Sequence, residues 1–184
     1  LDFKQYQYDG VKWCIENEMC PDPIENVRGG FIADEMGLGK TITALGIITA
    51  YRLPNTLIVV PPVLIDQWEA QIYKITGKPA LVYYGAERKM ISMEDMMENT
   101  IVLTTYTMLI RKLSPLLSMK WSRVIFDEAH HSVGKESKTL IYIEPKYDNA
   151  VFFTATPANK HGIKMHEEGL EISHCGKRIV NATF

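Results

Sequence analysis

The chain has 184 residues, 46% of them hydrophobic, which suits one globular domain with a sizeable core. Its formal net charge of −2 excludes a wholly basic nucleic-acid coat protein and leaves room for a local basic patch. Cys14, Cys20 and Cys175 are too few and too scattered for a disulfide framework, so a reducing compartment is expected; no apolar run reaches membrane-span length and no signal-peptide pattern opens the chain.

The first predicted element is an amphipathic helix within residues 1–20. Tyr6, Gly10, Trp13, Cys14 and Ile15 recur there at helical spacing among polar Gln5, Asp9, Lys12 and Glu16. Gln7 lies near its start. A glutamine amide can both donate to and accept from an adenine edge, and a solvated helix residue is the plainer reading. Pro21-Asp22-Pro23 stops the helix, and a loop runs to Arg28.

Phe31 to Ala33 then reads as a short buried strand, and Thr41 to Ile48 as a helix. Between them, Asp34-Glu35-Met36-Gly37-Leu38-Gly39-Lys40-Thr41 has the parts of a phosphate-binding loop. A helix N-terminus leaves backbone N–H groups unpaired, and its dipole favours an anion. Gly37 and Gly39 permit backbone turns that a Cβ would obstruct, so those N–H groups can curl around a phosphate. Lys40 would reach the β- and γ-phosphates, and the Thr41 hydroxyl would hold Mg²⁺. Asp34 stands where the strict pattern GxxxxGK[ST] has glycine, so taken alone the segment also fits a plain solvated turn.

Thr56 to Val60 is a continuous apolar strand closed by Pro61-Pro62, and Val63 to Thr76 a helix with Leu64, Ile65, Trp68, Ile72 and Tyr73 on one face. Residues 80–84 make another strand. Ser92 to Asn99 reads as helix or loop, with Met93, Met96 and Met97 as gap-filling core. Ile101 to Thr105 is a strand. Tyr106 to Leu113 is a helix whose C-terminal Arg111 and Lys112 suit its dipole. Trp121 to Phe126 is a strand running into Asp127-Glu128-Ala129-His130. Residues 136–144 read as helical, and Ala150 to Phe153 as a strand running into Thr154-Ala155-Thr156-Pro157.

This alternation predicts an α/β fold, a parallel sheet with helices on both faces. Ligands bind such a sheet outside the carboxyl ends of its strands. The polar chemistry gathers there, at Asp34–Thr41, Pro61-Pro62, Thr104-Thr105, Asp127-Glu128 and Thr154–Thr156. A carboxylate at a strand end beside a phosphate loop can hold Mg²⁺, commonly through water, and the next residue can orient or deprotonate an attacking water. Taken alone, Asp127-Glu128 fits a solvated acidic turn equally well.

Together these segments resemble the Swi/Snf-type DNA translocases within the superfamily-two helicases. Asp34 to Thr41 and Asp127 to His130 carry the resemblance, and that family also has Asp where the strict loop has Gly. Tyr6 to Trp13 resembles its adenine-reading glutamine motif. Leu57 to Pro62 with Gln67-Trp68, then Thr104-Thr105-Tyr106, and finally Thr154 to Pro157 resemble its later motifs. His131 and Ala155 depart from the family's commoner residues.

The resemblance covers about residues 1–157 and implies a single RecA-like lobe that binds ATP and Mg²⁺ and grips one DNA strand. It divides the chain into an adenine-motif helix and loop (1–28), the lobe (29–157) and a tail of uncertain structure (158–184). It implies that Gln7 reads adenine and that residues 34–41 cradle the nucleotide. Lys40 would hold phosphates, Thr41 and Asp127 would hold Mg²⁺, and Glu128 would be the base. His130 would link the site to Thr154 and Thr156. Pro61, Pro62, Thr104 and Thr105 would meet the DNA backbone, with little sequence preference. A second RecA-like lobe is expected in a longer parent chain, together with its arginines. An arginine finger can be worth about a thousandfold in rate, so this piece alone is expected to bind ATP weakly and turn over slowly. The chain starts without Met and ends abruptly, as a piece of a longer protein would. The expected location is the nucleus in a eukaryote and the cytoplasm otherwise.

The wider superfamily's RNA or DNA helicases share Asp-Glu-Ala-His, and a non-catalytic nucleotide-gated binding module is a third possibility. In the tail, His161, His166, His174 and Cys175 match no standard zinc-finger spacing. Lys160, Lys164, Lys177 and Arg178 read there as a solvated basic face.

Overall fold

Apolar runs with no polar face fold into strands only where both sides are covered, and this sequence supplies the helices to cover them. The computed structural model describes residues 2–21, 28–32, 39–109, 114–127, 147–153, 163–166, 169–174, 177–179 and 182–183. The chain begins with α1 (Gln5–Glu18), β1 (Arg28–Ile32), α2 (Lys40–Ala50) and β2 (Thr56–Val60). Next come α3 (Ile65–Thr76), β3 (Leu81–Tyr83), α4 (Met93–Glu98), β4 (Ile101–Thr105), α5 (Tyr106–Leu109) and β5 (Trp121–Phe126). The remaining strands are β6 (Tyr147–Phe153), β7 (Ile163–His166), β8 (Gly169–His174), β9 (Lys177–Ile179) and β10 (Ala182–Thr183).

Seven strands form a parallel sheet in the order β10-β1-β6-β5-β2-β4-β3. Alternate residues of its central strands feed two cores. On one face Ile58, Val60, Leu103 and Ile125 pack with α1, α2 and α3. On the other, Leu57, Val59, Val102, Val124 and Phe126 pack with Met96 of α4 and with Tyr106, Met108 and Leu109 of α5. The expected parallel sheet with helices on both faces is the observed architecture. No helix among the described residues is long and apolar enough to cross a membrane.

Several local expectations are corrected. The helix expected from Val63 begins at Ile65, because Pro62 to Leu64 form a 3-10 turn first. Its buried residues are Ile65, Trp68 and Ile72, while Tyr73 is 61% exposed. Tyr73 lies about 100° around the helix from Ile72, off the covered stripe. Of Met93, Met96 and Met97 only Met96 is core; Met93 and Met97 stand exposed on α4. That helix is held at its start by Ser92, whose N–H and hydroxyl both donate to the Asp95 carboxylate (2.7 and 2.9 Å) and keep Asp95 below the usual carboxylate range. On α1 the buried stripe is Gln7, Val11, Cys14 and Glu18, and Tyr6 faces solvent. Residues 110–113, with Arg111 and Lys112, and the helix expected over 136–144 lie outside the described residues.

The tail contributes strands. β7, β8 and β9 form an antiparallel meander, and β10 adds to β1 at the edge of the main sheet. His166 pairs with Gly169, whereas His174 lies five residues further along β8, opposite Lys177. At about 3.3 Å per residue their backbones stand roughly 16 Å apart, so the meander does not bring these two histidines together.

Candidate active site

The strand register lines up the carboxyl ends. Ile32 pairs with Phe153, and Phe126 with Phe152, so Asp127 sits level with the end of β1 across one intervening strand. Two strand spacings separate β1 from β5, about 10 Å. Val59 pairs with Phe126 and Val60 with Thr105, which extends the row to β2 and β4. The tips of β1, β6, β5, β2 and β4 therefore share one edge of the sheet. β1 ends on that edge at Ile32, and α2 begins at Lys40.

Gly39 is the N-cap of α2 and has left-handed backbone (φ 78°, ψ 42°). A Cβ at this position would also collide with the Gln7 side-chain nitrogen. Glycine is thus required twice, by conformation and by the close approach of Gln7. Gln7 is only 5% exposed, and its Oε1 accepts from the Lys4 N–H at 3.0 Å. That bond satisfies an orphan donor at the start of α1 and fixes the amide against the start of α2. Lys40 opens α2 with its Nζ buried, and Thr41, beside it, is half-buried.

Asp127 ends β5 and is 5% exposed. Its N–H donates to the Val59 carbonyl at 2.9 Å, extending the ladder by one residue. Its Oδ2 accepts from the Trp68 indole N–H at 2.8 Å. Its carbonyl accepts from the Tyr106 hydroxyl at 2.7 Å. Tyr106 itself stacks on Phe126, with ring centroids 6.2 Å apart. Trp68 reaches Asp127 from the α3 face and Tyr106 from the α5 face, so the residue is clamped between the two layers.

The donor set fits a magnesium nucleotide. A carboxylate and a threonine hydroxyl are hard oxygen ligands. A helix N-terminus with a glycine cap, where a Cβ has no room, has the free amides and the space that a phosphate needs. The buried ammonium of Lys40 supplies a cation at its start.

The other expected site residues divide into three groups. Asp34, Glu35, Met36, Gly37, Leu38, Glu128, His130, Thr154 and Thr156 lie outside the described residues. Pro61 is half-buried and Pro62 exposed, on the turn that leaves the row at β2. Thr104 and Thr105 are both fully buried, which corrects the expectation that their hydroxyls face phosphates. The Thr104 hydroxyl donates to the Tyr83 carbonyl at 2.8 Å, and the Thr105 hydroxyl lies 3.0 Å from that of Thr107. Both faces of β4 are covered, so neither side chain has an outward side. The exposed threonine at this strand end is Thr107.

The positions of Trp68, Tyr106, Glu18 and Arg123 were not anticipated as site supports. Arg123 of β5 and Glu18 at the end of α1 form a fully buried bidentate pair: Nε donates to Oε1 and Nη2 to Oε2, each at 2.7 Å. Nη2 also donates to the Tyr51 carbonyl at 2.9 Å. One end of α1 is thereby locked to the sheet while the other presents Gln7 to Gly39. The available signal was a lone arginine among the apolar residues of a strand.

A family model described as the SNF2-related domain matches residues 6–167. The chain is 33% identical over 153 residues to the DNA repair protein rad8 of Schizosaccharomyces pombe, which covers 65% of this chain and 14% of that protein. It is 28% identical over 177 residues to the ISWI chromatin-remodeling complex ATPase ISW2 of Saccharomyces cerevisiae, covering 89% of this chain and 15% of that one. The chain thus spans about a seventh of the length of these curated relatives. The structure titled "Sulfolobus solfataricus SWI2/SNF2 ATPase core in complex with dsDNA" has a TM-score of 0.71 at 24% identity, over 85% of this chain and 32% of that one. That likeness shows the fold, a RecA-like lobe.

Proposed function

This chain belongs to the SNF2-related domain family, and we propose that it is the first RecA-like lobe of a DNA-dependent ATPase that moves along duplex DNA. The observation that carries the reading is the row of strand ends, with Asp127 level with the exit of β1 and α2 opening at Gly39-Lys40.

In this reading ATP lies over the start of α2. Gln7, held against Gly39, reads the adenine edge. Residues 34–39 and the first amides of α2 wrap the phosphates, and Lys40 neutralises their charge. Thr41 and Asp127 hold Mg²⁺, which when bound withdraws charge from the β- and γ-phosphates. Glu128, next in the chain, orients the attacking water and takes its proton. His130 links this carboxylate pair to Thr154 and Thr156, and so to movement. A second lobe in the longer parent supplies the arginines that complete the site.

DNA would meet the same edge, at Pro61 and Pro62 and at exposed Thr107. Thr104 and Thr105 then support that turn from below. Backbone contacts of this kind give affinity with little sequence preference. The duplex named in the archaeal structure's title and the repair and chromatin roles in the relatives' names support double-stranded DNA as the track. A nuclear location in a eukaryote belongs to the same proposal.

The test is ATPase stimulation of the two-lobed parent by duplex DNA, single-stranded DNA and RNA. Duplex DNA should stimulate most. Equal or greater stimulation by RNA would favour a helicase of the wider superfamily instead, and no turnover with any of them would favour a nucleotide-gated binding module.

A further inference from the structure

We propose that Trp68 is a positioning residue for the metal site: its indole N–H fixes the rotamer of the Asp127 carboxylate. The inference rests on the reading of Asp127 as a Mg²⁺ ligand.

Trp68 is 1% exposed and packs in the core between α3 and the sheet. Phenylalanine or leucine could fill such a place without a polar atom. A buried indole N–H needs an acceptor, and the identity of that acceptor is informative. The other core tryptophan, Trp121, satisfies its N–H locally on the Leu116 carbonyl at 2.9 Å, five residues away. Trp68 instead reaches 59 residues along the chain to a side-chain carboxylate, at 2.8 Å.

The bond has properties suited to orienting a ligand. The indole N–H only donates, so it selects a carboxylate oxygen and holds it in one direction. Both partners are buried, so water competes poorly for either. The backbone of the same residue is fixed independently, by Tyr106 from the opposite face and by Val59 in the ladder. Side chain and main chain are thus set by different layers, and the indole bond holds one carboxylate oxygen in a fixed direction. Groups that orient metal ligands in this way typically alter metal affinity tenfold to a hundredfold when removed.

The experiment follows the three indole N–H signals of the ¹⁵N-labelled chain by NMR, with Trp68→Phe identifying its own. Adding Mg²⁺ to the ADP-bound chain should shift the Trp68 signal and leave those of Trp13 and Trp121 in place. In Trp68→Phe, the Mg²⁺ dissociation constant of the ADP-bound chain should rise about tenfold, while ADP affinity in EDTA stays at the wild-type value. A merely structural role would weaken both together and overturn the inference. Asp127→Asn is measured in parallel. If it binds Mg²⁺ and ADP as the wild type does, the metal reading of Asp127 itself fails. If it loses Mg²⁺ while Trp68→Phe keeps it and the Trp68 signal does not move, the positioning role alone is overturned. Should Trp68→Phe fail to fold, the shift in the unmodified chain decides.

Discussion

Replacing Glu18 with alanine is expected to cost far more than the loss of an ordinary ion pair. Arg123 would be left with no exposure, a cation-lined gap in place of its bidentate partner, and only the Tyr51 carbonyl as acceptor. Breaking a buried pair from one side typically costs about 3–5 kcal/mol, because a charge stays buried without compensation. For a domain of this size each kcal/mol lowers the melting temperature by about 2–4 °C, so Glu18→Ala should melt roughly 6–20 °C below the wild type. The double replacement Glu18→Leu with Arg123→Met removes both charges. It should recover most of the loss, since apolar substitutes for buried pairs are often neutral or stabilising. The Arg123 Nη1 has no hydrogen-bond partner among the described residues, which favours that recovery. Urea and thermal melts of the two singles and the double give the coupling energy. A loss under about 1 kcal/mol for Glu18→Ala, the range of exposed pairs, would refute the reasoning.

Other expectations follow from the same geometry. Gly39→Ala forces a left-handed alanine against the Gln7 amide, so it should lose about 1–2 kcal/mol of stability and nucleotide binding by calorimetry; wild-type binding would contradict the cradle. Gln7→Ala should weaken ATP binding about tenfold, one hydrogen bond's worth, and leave GTP binding little changed; an equal loss for both nucleotides would remove the adenine role. Thr104→Val should lower stability by about 1 kcal/mol in urea without altering DNA affinity, whereas Thr107→Ala should weaken DNA affinity; the opposite assignment would restore an outward role to Thr104.

What the residues disclosed depended on whether their burial followed a simple period. β2, β4 and β5 were legible because Leu57–Val60, Ile101–Leu103 and Val124–Phe126 are unbroken apolar runs, which only a sheet covered on both faces tolerates. The start of α2 at Lys40 and the place of Asp127 at the tip of β5 were legible as spaced residue types. Thr104 and Thr105 were misread because polar residues at a strand end suggest solvent, and here each hydroxyl finds an acceptor or partner inside the fold. Tyr73, Met93 and Met97 were misread because an apolar residue near a buried stripe is not thereby on it. Glu18 and Arg123 were hidden for a related reason: 105 residues apart, they become a buried pair only once α1 crosses the sheet. The Trp68–Asp127 bond joins two segments that each had a meaning in sequence, but the contact itself is a property of how α3 packs.

The most direct measurement is crystallographic: the chain with Mn²⁺ in place of Mg²⁺ and a non-hydrolysable ATP analogue. The anomalous Mn²⁺ peak should lie between the Thr41 hydroxyl and the Asp127 carboxylate, with the phosphates over the first amides of α2 and the adenine beside Gln7. A metal peak remote from Asp127, or phosphates bound away from the start of α2, would contradict the proposed nucleotide site.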